Sequence, residues 1–229
     1  MTRAAEIPPA NAAMAAQLVA DGQVVGLGTG RAAAAFIRAL GERVRGGLRV
    51  RGVPTSQASD ELARQVSIPL VSLDEVETLD LTVDGADEVD PQLNLIKGYG
   101  AALVREKIVA AASKRFVILV GPEKLVPLLG SRGKVPIEVV PFGVAATIRH
   151  LRALGLNPEQ RIASGQPVVT DNGNCVVDGG TGPIANPAKL EAAIRAIPGV
   201  VGTGLFLGMA DTVLVERGEQ VEELTRSRS

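Results

Sequence analysis

Apolar positions along the chain cluster into short, nearly uninterrupted runs, and amphipathic or Ala-rich stretches separate them. This is the pattern of strands buried on both faces alternating with helices. Residues 24–28, 48–53, 79–83 and 115–120 read as strands. Residues 11–20, 32–44 and 101–112 read as helices, as does a segment opened by the capping pair Thr55-Ser56 and running to Gln65. Strict alternation predicts right-handed crossovers and a doubly wound, mostly parallel, Rossmann-like α/β sheet.

After Ser131-Arg132-Gly133-Lys134 the rhythm changes to strand, helix, strand, strand, helix, strand, at 136–140, 144–153, 167–170, 175–178, 187–196 and 200–206. That order predicts a smaller α+β domain of ferredoxin-like topology. Asn172-Gly173, which supplies positive φ for a tight turn, is expected to join its two middle strands. A final run at 212–215 is expected to rejoin the first sheet. The organisation is therefore a Rossmann-like catalytic domain, 1–130 plus 207–229, interrupted by a ferredoxin-like domain, 131–206.

Composition narrows the function classes. The 229 residues carry 24 Lys and Arg against 25 Asp and Glu, a net charge of -1, so no global field draws nucleic acid or an anionic membrane. With four Phe, one Tyr and no Trp there is no aromatic platform for stacking bases. No apolar run has the length of a membrane helix. The single cysteine, Cys175, excludes an internal disulfide and a Cys-rich zinc site and reads as a small buried hydrophobe. No signal-like segment opens the chain, and a soluble cytoplasmic protein is the expectation. The single histidine, His150, falls within a predicted helix and reads as a surface or packing residue.

Candidate chemistry gathers where predicted strands end. Gly26-Leu27-Gly28-Thr29-Gly30-Arg31 joins a strand to a helix, so its amides and the helix N-terminus suit a phosphate; a plain tight turn is the alternative. It is neither a dinucleotide fingerprint nor a P-loop. Asp84 and Asp87, in Asp84-Gly85-Ala86-Asp87-Glu88, follow a buried strand and lie where a parallel sheet opens into a ligand crevice. They suit an acid/base pair, an all-oxygen metal pair or simple turn and cap roles. Lys97, in Lys97-Gly98-Tyr99-Gly100, is a positive partner for them. Glu106, in Arg105-Glu106-Lys107, is by its local pattern a solvated helix charge, although a carboxylate withdrawn from water gains proton affinity and can shuttle a proton. Lys124 lies beyond the strand at 115–120, either facing the same crevice or exposed on a loop.

These blocks, taken in order, resemble the ribose-5-phosphate isomerase family of the A type. The likeness runs through Val25 to Gly30, Asp84 to Glu88, Leu95-Ile96-Lys97-Gly98, Arg105-Glu106-Lys107-Ile108, Pro136-Ile137-Glu138-Val139, Thr170-Asp171-Asn172-Gly173-Asn174 and Ile197-Pro198-Gly199-Val200-Val201. The resemblance implies interconversion of ribose 5-phosphate and ribulose 5-phosphate through an enediol, with neither metal nor organic cofactor. By similarity Glu106 is the base that carries a proton between C1 and C2. Lys97, helped by Asp87, stabilises charge on the carbonyl oxygen, and Asp84 handles hydroxyl protons, including those moved in ring opening. Thr29, Gly30, Arg31, Gly85, Ala86, Gly98, Gly100 and Lys124 are implied substrate contacts. A homo-oligomer, dimer or tetramer, is also implied, with the small domain as its assembly surface.

The chain departs from the family pattern in reading Arg31-Ala32 where Ser-Thr is usual, Tyr99 where a glycine is common, and Glu6-Ile7-Pro8-Pro9 where a lysine is common. A charge-assisted phosphate contact from Arg31 is expected to replace the two lost hydroxyls. Two competing readings are a non-catalytic phosphosugar sensor and a nucleotide-dependent oxidoreductase or acyl carrier transferase on a similar scaffold. The first lacks a helix-turn-helix extension, and the second lacks an intact dinucleotide motif.

Overall fold

The structure is a computed structural model and describes residues 9–226. The Glu6-Ile7-Pro8 departure and the outermost ends of the first predicted domain lie outside the described residues. The main elements of the first half are α1 (Ala10–Gln17), β1 (Val24–Leu27), α2 (Arg31–Arg45), β2 (Arg51–Pro54), α3 (Gln57–Gln65), β3 (Leu81–Gly85), α4 (Leu103–Ala111) and β6 (Phe116–Val120). Between β3 and α4 run two short strands, β4 (Glu88–Val89) and β5 (Leu95–Ile96). Near the end of the chain come β14 (Thr212–Arg217) and β15 (Gln220–Thr225). The main sheet has the order β15-β14-β6-β3-β1-β2, parallel throughout except for the edge strand β15.

Local chemistry explains these elements. All of β1 and β6 is buried, as continuous apolar runs on a two-sided sheet require. Helix α2 buries Ala33, Phe36, Ile37 and Leu40, an i, i+3, i+4, i+7 stripe, against the sheet with α1. It stops in a Schellman motif: Gly47 adopts φ 102°, its amide donates to the Val44 carbonyl, and the Leu48 amide donates to that of Arg43. Helix α4 covers the opposite face, where Val109 and Ala110 pack. Gly26 in β1 is required by close approach, since a Cβ there would lie 1.9 Å from Thr82 Oγ1.

The second sheet is antiparallel, in the order β12 (Val200–Thr203), β7 (Lys134–Val139), β11 (Cys175–Gly180), β8 (Asn157–Gln160). Helices α5 (Val144–Ala153) and α6 (Pro187–Arg195) cover one face through Val135, Ile137, Val139, Leu151 and Ile194. Numbered within the unit, the strand order is 4-1-3-2, the ferredoxin-like arrangement. Its second strand is not at 167–170, as the sequence pattern predicts. Strand β8 takes that place, and Pro167 falls in a two-residue hairpin formed by β9 (Ile162–Ala163) and β10 (Gln166–Pro167). Asn157-Pro158-Glu159-Gln160 has no apolar alternation because it is an edge strand held by backbone pairing, where polar residues and proline are tolerated.

The Asn172-Gly173 turn does form, with Gly173 at φ 78° and its amide donating to the Thr170 carbonyl, but only Val169 and Cys175 bridge beside it. The predicted last strand also divides. Beyond β12 the chain crosses at Gly204, and β13 (Leu205–Phe206) joins a three-stranded sheet in the order β13-β5-β4. Gly204 accepts from the Lys97 amide through its carbonyl and donates its own amide to the Pro136 carbonyl, so the crossing ties the three-stranded sheet at the end of β5 to β7 of the four-stranded one.

Candidate active site

The chain runs from β1 to β2 in one direction across the sheet and from β3 through β6 to β14 in the other, so β1 and β3 flank the topological switch point. Ligands of open α/β sheets bind at the carboxyl ends of strands there. A cleft of about 430 Å³ opens at this place, within the usual range for small-ligand sites. Its polar wall includes Arg31, Asp87, Lys97, Glu106 and Lys124.

The cleft floor is built around Lys97, which follows β5 and is 3 % exposed. Its Nζ donates to the Gly85 carbonyl at 2.6 Å and lies 3.0 Å from Asp84 Oδ2 and 3.2 Å from Glu106 Oε2. Burial opposes its charge, but the carboxylates of Asp84 and Glu106 more than offset this and hold the ammonium above its ordinary pKa.

Glu106 sits in the first turn of α4, 4 % exposed, with Oε2 lacking a well-aligned hydrogen-bond donor. Burial, reinforced by the Asp84 charge and only partly relieved by Lys97, pushes its pKa up to about 8. The sequence pattern of a solvated helix charge is thus overturned by packing: this turn of α4 faces inward. Such a carboxyl accepts and returns a proton near neutral pH.

Asp84 is the next-to-last residue of β3 rather than part of the following loop, and it is fully buried. Its Oδ1 accepts from the amides of Gly85 at 2.7 Å and Thr29 at 3.1 Å. It does not line the cleft but lies one layer below, gripping Lys97 and the glycine loop at once. Gly28 makes the room, because a Cβ there would stand 2.3 Å from the Asp84 Cγ. Burial raises the Asp84 pKa against the pull of Lys97 and the two amides. Asp87, by contrast, lines the cleft, with Oδ2 accepting from the Tyr99 amide at 3.0 Å, and burial raises its pKa too.

The rest of the expected set comes together around the cleft. Gly30, Arg31, Gly85, Ala86, Gly98, Gly100 and Lys124 all line it, as does Thr29. Thr29, however, has its amide on Asp84 and its hydroxyl within 2.7 Å of Thr55 Oγ1 and 2.8 Å of Ser56 Oγ. It therefore shapes the loop with groups already committed. Gly30 adopts φ 98° as N-cap of α2, whose first-turn amides have no intrahelical partners and suit an anion. Arg31 is the exposed first residue of that helix. Tyr99 stands at the rim with its ring 4.6 Å from Lys134 Nζ, and burial pushes its phenol up to about 12, so it stays protonated.

Arg161 and Glu216 had no signal in the sequence, and Thr55 and Ser56 had one only as caps. Arg161 donates to the carbonyls of Gly98 and Tyr99 at 2.9 and 3.0 Å and pairs with Asp178. Thr55 and Ser56, legible as helix-capping residues, also brace Thr29. Glu216 lines the cleft and accepts from the Ala10 amide at the start of α1. Among the described residues, no group of three or more His, Cys, Asp or Glu is placed to hold a metal ion.

Fold and site together define an α/β protein equipped for proton transfer on a small polar ligand. The family model of ribose 5-phosphate isomerase A (phosphoriboisomerase A) matches residues 51–220. Over 214 residues the chain is 54% identical to ribose-5-phosphate isomerase A of Gloeobacter violaceus, covering 93% of each protein. The solved structure of ribose 5-phosphate isomerase A from Methanocaldococcus jannaschii matches with a TM-score of 0.90 at 44% identity, over 94% of this chain and 96% of that one. A D-ribose-5-phosphate isomerase in complex with phospho-erythronic acid matches with a TM-score of 0.91 at 43% identity, over 95% and 96%. The chain belongs to the ribose 5-phosphate isomerase A family.

Proposed function

We propose that this protein interconverts D-ribose 5-phosphate and D-ribulose 5-phosphate through an enediol, with Glu106 as the proton carrier. The observation that carries the proposal is the Glu106, Lys97 and Asp84 cluster, buried at the floor of a cleft beside a helix N-terminus. The relative solved with phospho-erythronic acid supports a phosphosugar ligand. From the aldose, the Glu106 carboxylate takes the C2 proton and the bonding pair becomes the C1–C2 double bond. The carbonyl pair moves onto O1, which takes up a proton to complete the enediol. Return of the first proton from Glu106 to C1, as O2 gives up its proton and its bonding pair forms the C2 carbonyl, leaves the ketose. In sum one hydrogen passes from C2 to C1 and one from O2 to O1. Lys97 faces the oxygen on which negative charge grows. Preorganised charge of this kind acts strongly where water is excluded.

The distances favour a reversal of the two aspartates' expected roles. Asp84 holds Lys97 in place from below, whereas Asp87, on the cleft wall, is the group able to exchange hydroxyl protons during ring opening. Arg31 and the first-turn amides of α2 receive the phosphate, with Lys124 as a second cation. No step requires a metal or organic cofactor. The two lobes are best divided as 1–130 plus 207–229 and 131–206. The protein is assigned to the pentose phosphate pathway of the cytoplasm as a homo-oligomer, dimer or tetramer. Phe142, 93 % exposed beside Val140 on the small lobe, supports assembly there. Among the described residues no helix is long and apolar enough to cross a membrane. The sensor alternative has no support from the relatives described above, which are isomerases by name.

The test is conversion of ribose 5-phosphate in the presence of a chelator. The native protein is expected to turn over, and Glu106→Gln, still folded, to lose on the order of 10³-fold or more in kcat. Binding without turnover in the native protein would replace the isomerase by a sensor. For the phosphate contact, Arg31→Ala is expected to raise KM about tenfold at nearly constant kcat, and an unchanged KM would remove Arg31 from the site.

A further inference from the structure

The loop Thr170-Asp171-Asn172-Gly173-Asn174 belongs to the small lobe, yet it bonds to the first turns of α3 and α4 in the large one, elements adjoining residues that line the cleft. It is anchored at Glu138 of β7, which is fully buried. Glu138 Oε1 accepts from Thr170 Oγ1 at 3.1 Å, Asn172 Nδ2 at 3.0 Å and Asn174 Nδ2 at 2.8 Å. One carboxylate oxygen thus fixes three side chains of a five-residue turn. A buried acid so used has no part in the chemistry described above, and its geometry needs another reason.

From this anchor two arms leave. Asn172 Oδ1 accepts from Arg105 Nε at 2.7 Å, and the Asp171 carbonyl accepts from Arg105 Nη2 at 2.7 Å. Arg105 immediately precedes Glu106 in the first turn of α4, so this fork sets the rotation and height of the turn that carries the base. The other arm is Asp171 Oδ2, which accepts from the Gln57 amide at 2.7 Å, at the first residue of α3, and stands 3.7 Å from Arg105 Nη1, so its short bond goes to α3 and only a long ion pair to the first arm. The residue before it, Ser56, caps α3 and accepts from the Thr29 hydroxyl at 2.8 Å. That arm therefore steadies the glycine loop, whose Thr29 and Gly30 line the cleft.

We propose that the 170–174 loop is a two-armed clamp, in which Asn172, seated on Glu138, positions Glu106 through Arg105, and Asp171 positions the Thr29 loop through α3. The proposal rests on Glu106 being the base. It gives the small lobe a role in catalysis as well as in assembly. Reacting groups misplaced by about 1 Å lose on the order of 100-fold in rate, so small shifts of α4 are sufficient.

The two arms predict opposite kinetic signatures. Asn172→Ala is expected to lower kcat by about 10- to 100-fold while KM stays within about threefold, because the base acts only in the transition state. Asp171→Ala removes only the long ion pair to Arg105 and leaves Arg105 its bonds to the residue 171 carbonyl and Asn172, so it is expected to raise KM by about three- to tenfold with kcat within about threefold of native. Loss of fold stability alone would not divide the two parameters between neighbouring residues. Arg105→Gln, at a side chain 39% exposed, should reproduce the Asn172→Ala loss and decides the matter if Asn172→Ala does not fold. The double variant should cost no more than either single one, since both break the same arm. Native kcat in Arg105→Gln, parallel changes in both parameters, or additive losses would overturn the clamp. A Glu106→Gln variant assayed alongside separates the readings: if it retains turnover, the base assignment fails and the clamp with it. If it collapses while Asn172→Ala and Arg105→Gln run at native kcat, the clamp alone fails.

Discussion

Glu106 and Glu88 are both buried carboxylates, 4 % and 0 % exposed, yet their surroundings are opposite. Glu88, in β4, has Oε2 accepting from the Gly130 amide at 2.6 Å and Oε1 from the Arg132 amide at 2.8 Å, so both oxygens are satisfied and a turn is pinned. Glu106 faces a cleft, its Oε2 has only Lys97 nearby at 3.2 Å, and the negative Asp84 lies close behind. Burial alone does not make an acid reactive. Burial without donors, beside a like charge, leaves the proton as the easiest way to satisfy the group.

The comparison can be broken at either end. Short of removing Glu106 itself, the largest effect is expected from Lys97→Met, which removes the cation between Asp84 and Glu106. Turnover should fall by about 10²- to 10³-fold, since loss of one preorganised donor typically costs about 3–4 kcal/mol of barrier. A smaller and purely structural effect is expected from Glu88→Ala. One buried amide, of Gly130, and one part-buried amide, of Arg132, lose their acceptors, so unfolding in denaturant should show a loss of about 1–3 kcal/mol, with kcat of the folded protein within about twofold of native. Should Glu88→Ala abolish turnover while folded, the division between reactive and structural carboxylates would not hold.

Stability sharpens the same contrast. The folded-state pKa of Glu106 lies above its unfolded value, so its contribution is fully present below the ordinary carboxylate range and is lost as pH rises through about 8. Glu106→Gln, neutral at every pH, is therefore expected to melt higher than the native protein at pH 9 and close to it at pH 5, a gain in stability bought with activity. Equal melting temperatures at pH 9 would mean that the carboxylate is not strained by its burial.

Much of this was legible in the sequence, for physical reasons that also mark the limits. Strands β1 and β6 announce themselves because both faces are buried, and α2 because its stripe is 3.6-periodic. Strand β8 does not, since an edge held by backbone bonds needs no apolar side chains, and the β-branched run ending at Thr170 attracted the assignment instead. Within the site, Asp84, Asp87 and Lys97 stood out by their place beyond a buried strand. Glu106 was ambiguous, because helical periodicity gives a residue's angle around its axis and not what will cover it. Arg161 had no signal at all: its partners near the cleft are the main-chain carbonyls of Gly98 and Tyr99, and a bond to a carbonyl leaves no trace in residue type.

The most direct test of the central claim is the pH dependence of kcat/KM for ribose 5-phosphate, compared between the native protein and Asp84→Asn. Only ionised Glu106 can take the C2 proton, so the native profile should fall as pH drops through about 8. Removing the Asp84 charge, which helps to raise that pKa, should move the fall to lower pH. A native limb in the ordinary carboxylate range, near pH 4 to 5, unmoved by Asp84→Asn, would contradict the account.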